Sequence, residues 1–313
     1  MLFRRLGMVT AVLAALSVPA IGASAAGAAS AAPARVPPPA LVVSGTVSDP
    51  ASYTLSQLAA LPTETVKLYL PGRRGAVQAT GISLDSLVTL AAPVLPAAKN
   101  ALLRVIVTAS GPGGHRVSFA LGELDPNFGN HDGVVVLRVD GKPLAAPALA
   151  VPGDKVPLRD LPVVSRISVG VTNPPVTVPP SSGALVIQEG KRQVVVSAAK
   201  LAHLPRRTLT VTFIAGTASQ TDTETGPTLA AVLAAAHVVP GLNAWVAAVG
   251  DDGYVATVTP AEALVGARPL LISLTENGTA LAEPRLVADG DVKGGRYVSG
   301  VYDLVVGQGA PAS

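Results

Sequence analysis

RVIVTASGPGGHRVSFALGEL, starting at Arg104, returns later in the chain as WVAAVGDDGYVATVTPAEAL, starting at Trp245. Three further pairs recur in the same order. YTLSQLAALP (Tyr53 to Pro62) matches VSAAKLAHLP (Val196 to Pro205), and TGISLDSLV (from Thr80) matches TGPTLAAVL (from Thr225). VVVLRVDGKPLAAPALAVPGD (from Val134) matches LLISLTENGTALAEPRLVADGD (from Leu270). Four blocks in one order at a near-constant offset imply that a whole domain is written twice; the short periods of a solenoid are absent. The reading gives domain one as residues 41–171 and domain two as residues 185–307, each expected to bury a core of its own.

Within each copy the hydrophobic periods are mixed. Val134 to Val139 is a β-branched run ending at Asp140-Gly141, and the second copy has Asn277-Gly278 at that place. Such pairs tolerate positive φ and close tight hairpins. Leu55 to Leu61, Ser83 to Ala91, Thr228 to Ala236 and Thr259 to Leu264 instead space leucines three or four apart, with Ser56, Ser83 and Thr259 as caps, and read as short helices. Strands dominate and helices fall irregularly between them, which predicts an α+β fold with mixed sheets rather than a doubly wound parallel one.

The N-terminus reads as an export signal over residues 1–25. Arg4 and Arg5 precede an apolar run from Leu6 to Ile21, and Ala23-Ser24-Ala25 offers a cleavage site. The run is too short for a membrane span and Pro19 interrupts it. The expected location is therefore secreted or at the cell surface. Removing two arginines takes the formal charge down by two from +3, so the basic character is slight. With no Lys/Arg runs and few aromatics, nucleic acid is not an expected partner. Residues 26–40 and 172–184 are Pro-rich joints, the second containing TNPPVTVPPSSG, and 308–313 is a bland tail.

Cysteine is absent, so no disulfide supports an exported chain and no thiolate serves its chemistry. His115, His131, His203 and His237 are too scattered for a metal motif and read as surface or loop residues. Glu123 and Asp125, before Pro126, read as solvent-facing acids. Asp289, Asp291 and Gly294 imitate the start of a calcium loop, but Gly300 stands where the bidentate glutamate belongs.

The order of the blocks resembles the oxidoreductase molybdopterin-binding domain of sulfite oxidases and plant-type nitrate reductases. The resemblance runs through an ALP helix, a T-G-x-x-L helix, a D-G-K-P-L hairpin at Asp140 to Leu144, VPGDK at Val151 to Lys155, and PRLVADGDVKGGRYVSGVYDLVV from Pro284. It implies two tandem, degenerate copies of a strand-rich sulfite-oxidase-like domain. It also implies that molybdopterin is the cofactor to consider, with a cysteine thiolate on the metal. The corresponding loops are LYLPGRRGAVQ (Leu68 to Gln78) and FIAGTASQTD (Phe213 to Asp222), and neither has the cysteine; Ser219 or Asp222 is the substitute on offer. By the same resemblance Lys155, Arg159, Lys293 and Arg296, together with Arg73, Arg74 and His115, are the residues expected to contact an anionic phosphate. Lys293 and Arg296, set among glycines, form the preferred pair, expected on exposed loops where their loss would barely change stability. Three functions are open. One is a non-catalytic binding module for a small anionic ligand, the second a molybdopterin-dependent oxidoreductase with a non-cysteine ligand, the third a structural cell-surface protein.

Overall fold

The computed structural model describes residues 38–69, 75–174 and 183–311. The first half runs β1 (Leu41–Gly45), β2 (Ala51–Tyr53), α1 (Leu55–Ala59), β3 (Glu64–Leu68), β4 (Val77–Ser83), α2 (Leu84–Leu90), β5 (Val105–Ser110), β6 (Arg116–Ala120), α3 (Leu121–Leu124), β7 (Val134–Val139), β8 (Lys142–Ala150) and β9 (Arg166–Val171). The second half has the same order: β10 (Leu185–Glu189), β11 (Arg192–Val196), α4 (Ala198–His203), β12 (Arg206–Ala215), β13 (Ala218–Pro227), α5 (Leu229–Ala235), β14 (Ala244–Gly250), β15 (Val255–Val258), α6 (Pro260–Leu264), β16 (Leu270–Glu276), β17 (Thr279–Ala288) and β18 (Val301–Gln308).

Each half holds two sheets. The five-stranded ones are ordered β2-β1-β9-β5-β6 and β11-β10-β18-β14-β15, and the four-stranded ones β3-β4-β7-β8 and β12-β13-β16-β17. Position for position the two orders agree. In both five-stranded sheets the first long strand pairs parallel with the last, β1 with β9 and β10 with β18, while the neighbouring pairs are antiparallel. A strand-rich architecture of mixed and antiparallel sheets with short helices is thus observed, and the two sheet pairs are consistent with two domains.

Local chemistry explains the connections. Asp140 (φ 49°) and Gly141 (φ 75°) form the two-residue turn between β7 and β8, and Asn277 (φ 52°) with Gly278 (φ 80°) does the same between β16 and β17. Positive φ at both central residues selects the turn whose twist suits a hairpin. Ser83 caps α2 and Thr228 caps α5, each accepting from a backbone amide three residues on. The cap of α1 is Thr54, not Ser56, because Thr54 and Gln57 form a reciprocal capping box.

The halves are not separate in their packing. Each has a large apolar cluster, the first built around Leu41, Leu84, Leu87, Phe119 and Ile167, the second around Leu185, Leu229, Val246, Ile272 and Leu304. A third cluster joins them: Ile106 and Ala120 from the first half pack with Trp245, Ala247, Val249, Val255 and Tyr302 from the second. Leu103, on the 3-10 turn before β5, lies fully buried in the second half's cluster, and its carbonyl accepts the Thr257 hydroxyl at 2.7 Å. Truncating such a side chain costs its transfer energy plus that of the cavity left. Leu103→Ala should therefore lower stability by ~2–5 kcal/mol in a single urea transition. A loss below about 1 kcal/mol would mean that the halves do not lean on one another there. Among the described residues no helix is long and apolar enough to cross a membrane.

Candidate functional site

Two arginines at matching places in the two halves, each between the eighth strand and the ninth of its half, end in the interior. Arg159 follows Asp154 by five residues, and Arg296 follows Asp291 by five. Both arginines are fully buried. Arg159 donates from Nε and Nη2 to the two oxygens of Asp154, at 2.8 and 2.7 Å, and from Nη1 to Glu123 at 2.6 Å. Arg296 donates from Nε to Asp291 at 2.8 Å and from Nη2 to the same carboxylate, and its Nη1 lies 2.9 Å from both oxygens of Glu262. Glu123 sits on α3 and Glu262 on α6, which are matching helices.

The two assemblies meet. Thr259, at the start of α6, donates its hydroxyl to Glu123 Oε2 across the halves at 2.9 Å, while its own amide donates to Glu262 at 3.1 Å. A Cβ at Gly122 would lie 2.9 Å from Arg296 Cδ, so the arginine stem passes against the first turn of α3. His131 bonds Asp154 at 3.0 Å, and Arg268 donates to Asp291 at 3.0 Å. Burial would lower the pKa of Arg159 and Arg296, but the surrounding carboxylates outweigh it and hold both well above the ordinary guanidinium range. Burial also pushes the Asp154 carboxyl upward, yet hydrogen bonds from Arg159 and His131 prevail and keep it below the usual range.

These contacts correct the sequence expectation for Arg159 and Arg296. Their forks are committed to protein carboxylates and shielded from solvent, so they are not exposed anion contacts. His131 is likewise buried in this network rather than on the surface, and Glu123 is fully buried rather than solvent-facing. Asp291, the would-be calcium ligand, is held by Arg296 and Arg268. Sequence reading passed over Glu262, although it aligns with Glu123 in the LGEL and PAEAL blocks.

The remaining expected residues are dispersed. Lys155 lines a cleft of about 400 Å³ in the first half with Leu68, Tyr69, Asp154 and Asp160. His115 is exposed beyond the β5–β6 turn. Arg73 and Arg74 lie outside the described residues, as do residues 1–37 with the expected export signal. Lys293 lines a larger cleft, about 550 Å³, at the junction of the halves. Lys99, Asn100 and Phe128 come to it from the first half; the β12–β13 hairpin supplies Phe213, Ile214, Ala215 and Gly216, and Asp252, Tyr254, Gly294, Gly295, Tyr297 and Ser299 complete the walls. Asp252 accepts the Tyr254 amide at 2.9 Å.

That hairpin, Phe213 to Asp222, is the segment at which the sequence resemblance led us to expect a metal ligand, and it holds no cysteine. Its residues in the cleft present a phenyl ring, two aliphatic side chains and a glycine, none of which coordinates a metal. Asp222 is buried elsewhere on the hairpin, taking hydrogen bonds from Gln220 at 2.6 Å and Asn277 at 2.9 Å. Nearby Glu224 and Glu276 share Arg285 as counter-ion. The hairpin therefore brings no ligand for a molybdenum centre into the cleft.

No family model matches the chain, and no curated protein matches it. Among solved structures, the sulfane dehydrogenase SoxCD from Paracoccus pantotrophus matches at 15% identity, covering 83% of this chain and 77% of that chain, with a TM-score of 0.31.

Proposed function

We propose that this chain is a non-catalytic binding module, a duplicated molybdopterin-domain-like scaffold that takes a small anionic ligand in the cleft at Lys99 and Lys293. One observation carries the reading: two lysines and a single carboxylate line an open cleft whose hairpin offers no metal-coordinating side chain. Lys293 donates to Asn127 Oδ1 at 2.9 Å, and an ammonium has three donors, so capacity for an anion remains. Support for the duplication comes from the ordered sequence blocks together with the matching strand orders.

The test has two arms. Protein purified from an exporting host should contain far less than one molybdenum per chain and should not turn over sulfite or nitrate with artificial electron carriers. Inorganic phosphate should shift the amide resonances of Lys293, Gly294 and Gly295, and replacing Lys99 and Lys293 together by glutamine should weaken its binding roughly tenfold, as expected for removing charge-assisted hydrogen bonds. Stoichiometric molybdenum with turnover would instead establish the oxidoreductase alternative.

A further inference from the structure

Asp222 and Glu224, two residues apart on β13, share one face of their sheet, and Glu276 of β16 stands directly opposite Glu224. One carboxylate oxygen from each of the three lies within 4.8 Å of the others, and none of the three lines the cleft at Lys293. Asp222 and Glu224 are buried and Glu276 is half-buried. Among the described residues the cation paired with them is Arg285, whose Nη1 reaches Glu224 at 3.1 Å and also bonds Glu276. Asp222 takes the neutral amides of Gln220 and Asn277. One guanidinium set against three acids leaves two negative charges. A second observation comes from Glu224 itself: it is fully buried, yet its Oε2 has no hydrogen-bond partner. An ionised oxygen left so is costly.

The fold does not call for these charges. Counted from the Asp140-Gly141 and Asn277-Gly278 turns and along the paired strands, the matching places of the first half hold Val77, Ala79, Val139 and Ala148, and Ala79 faces Val139 as Glu224 faces Glu276. That face of the first half is an apolar cluster. We infer that Asp222, Glu224 and Glu276 bind a calcium ion. Carboxylate oxygens are hard donors, and an irregular set of them suits calcium better than magnesium, which demands a near-ideal octahedron and gives up its waters reluctantly. The two charges of the ion together with Arg285 balance the three acids. Glu224 Oε2 gains the partner that the protein does not give it, and the part-exposed Glu276 and Arg285 mark the side from which water completes the coordination.

The full chain, stripped with a chelator, is titrated with calcium and with magnesium by calorimetry and melted with and without calcium. One equivalent of calcium should bind with a Kd of roughly 0.1–1 mM, the range of weak extracellular calcium modules. Saturating calcium should raise the Tm by about 3–6 °C, and magnesium should do less. Glu224→Gln, which keeps the side-chain shape, should weaken calcium by about tenfold or more and remove the shift, whereas Lys293→Gln should change neither. If Glu224→Gln does not fold, the combination Glu224→Ala, Glu276→Val and Arg285→Ala, which installs the first half's residues, takes its place with the same expected loss. Absence of calcium binding by the parent at millimolar concentration, or binding unchanged in these variants, would overturn the site. Magnesium binding as tightly would overturn the choice of calcium.

Discussion

Arg296→Ala should lower the unfolding free energy by ~3–5 kcal/mol, the cost of leaving buried carboxylates without their partner. The side chain is fully buried and donates to Glu262 from one nitrogen and to Asp291 from two others, so its removal leaves Asp291 with Arg268 alone and Glu262 with only the Thr259 amide. For a chain of this size the loss corresponds to a drop in Tm on the order of 10 °C. Lys293→Ala, three residues away, should change stability by no more than ~0.5 kcal/mol, because its ammonium reaches an exposed asparagine rather than a buried charge. Thermal unfolding of the two variants side by side checks this. Equal, small effects would mean that the Arg296 network contributes nothing, as expected of solvated loop charges. A variant replacing Arg296, Asp291 and Glu262 together by apolar residues of similar size should recover much of the loss, since a buried ionic group is costly mainly when broken.

The Asp132→Asn substitution should stabilise the protein above neutral pH and not in acid. Asp132 lies just before β7 and ties down the start of α2: the Ser83 hydroxyl and the Asp85 amide both donate to it. Burial pushes its carboxyl up to about 7, despite those hydrogen bonds, and the neighbouring Asp85 carboxyl is raised to about 6, again chiefly by burial. In the unfolded chain an aspartate titrates near ~3.9. Below that pH both states hold the proton and the group has no effect on stability. Between about pH 4 and pH 7 the unfolded chain releases a proton that folded Asp132 retains, so stability falls as pH rises, by up to ~4 kcal/mol for roughly three units. Asparagine removes this penalty while keeping one acceptor for the Asp85 amide and one donor for Ser83. The stability difference between variant and parent, measured by urea unfolding, should therefore grow from pH 4 to pH 8. A pH-independent difference would show that Asp132 ionises normally in the folded protein.

Several parts of this architecture were legible without coordinates because they depend on local chemistry. The Asp140-Gly141 and Asn277-Gly278 pairs specify turns through their own φ preferences, and both turns are present. Leucine spacing placed α1, α2, α5 and α6, since one turn of helix needs only its own residues to declare an apolar face. The four-residue α3 escaped this reading, being too short to show a period.

The sequence by itself determined the two Asp/Asn-Gly hairpin turns and the positions of α1, α2, α5 and α6, which follow from residues near one another in the chain, and it showed the paired blocks. What only the tertiary structure decided was which charges face water. Arg159 and Lys155 sit four residues apart on one loop, yet the first is fully buried between Asp154 and Glu123 and the second is exposed in a cleft. Arg296 and Lys293 diverge too, the first fully buried and the second half-buried at the wall of the larger cleft. A guanidinium can enter the interior only where carboxylates already converge, and Glu123 and Glu262 reach those points on helices more than thirty residues away from the arginines. The cleft obeys the same rule, because Phe128, Phe213, Tyr254 and Tyr297 share no spacing that could announce them as neighbours. Long-range packing of the two halves brings them together, and no local preference encodes it.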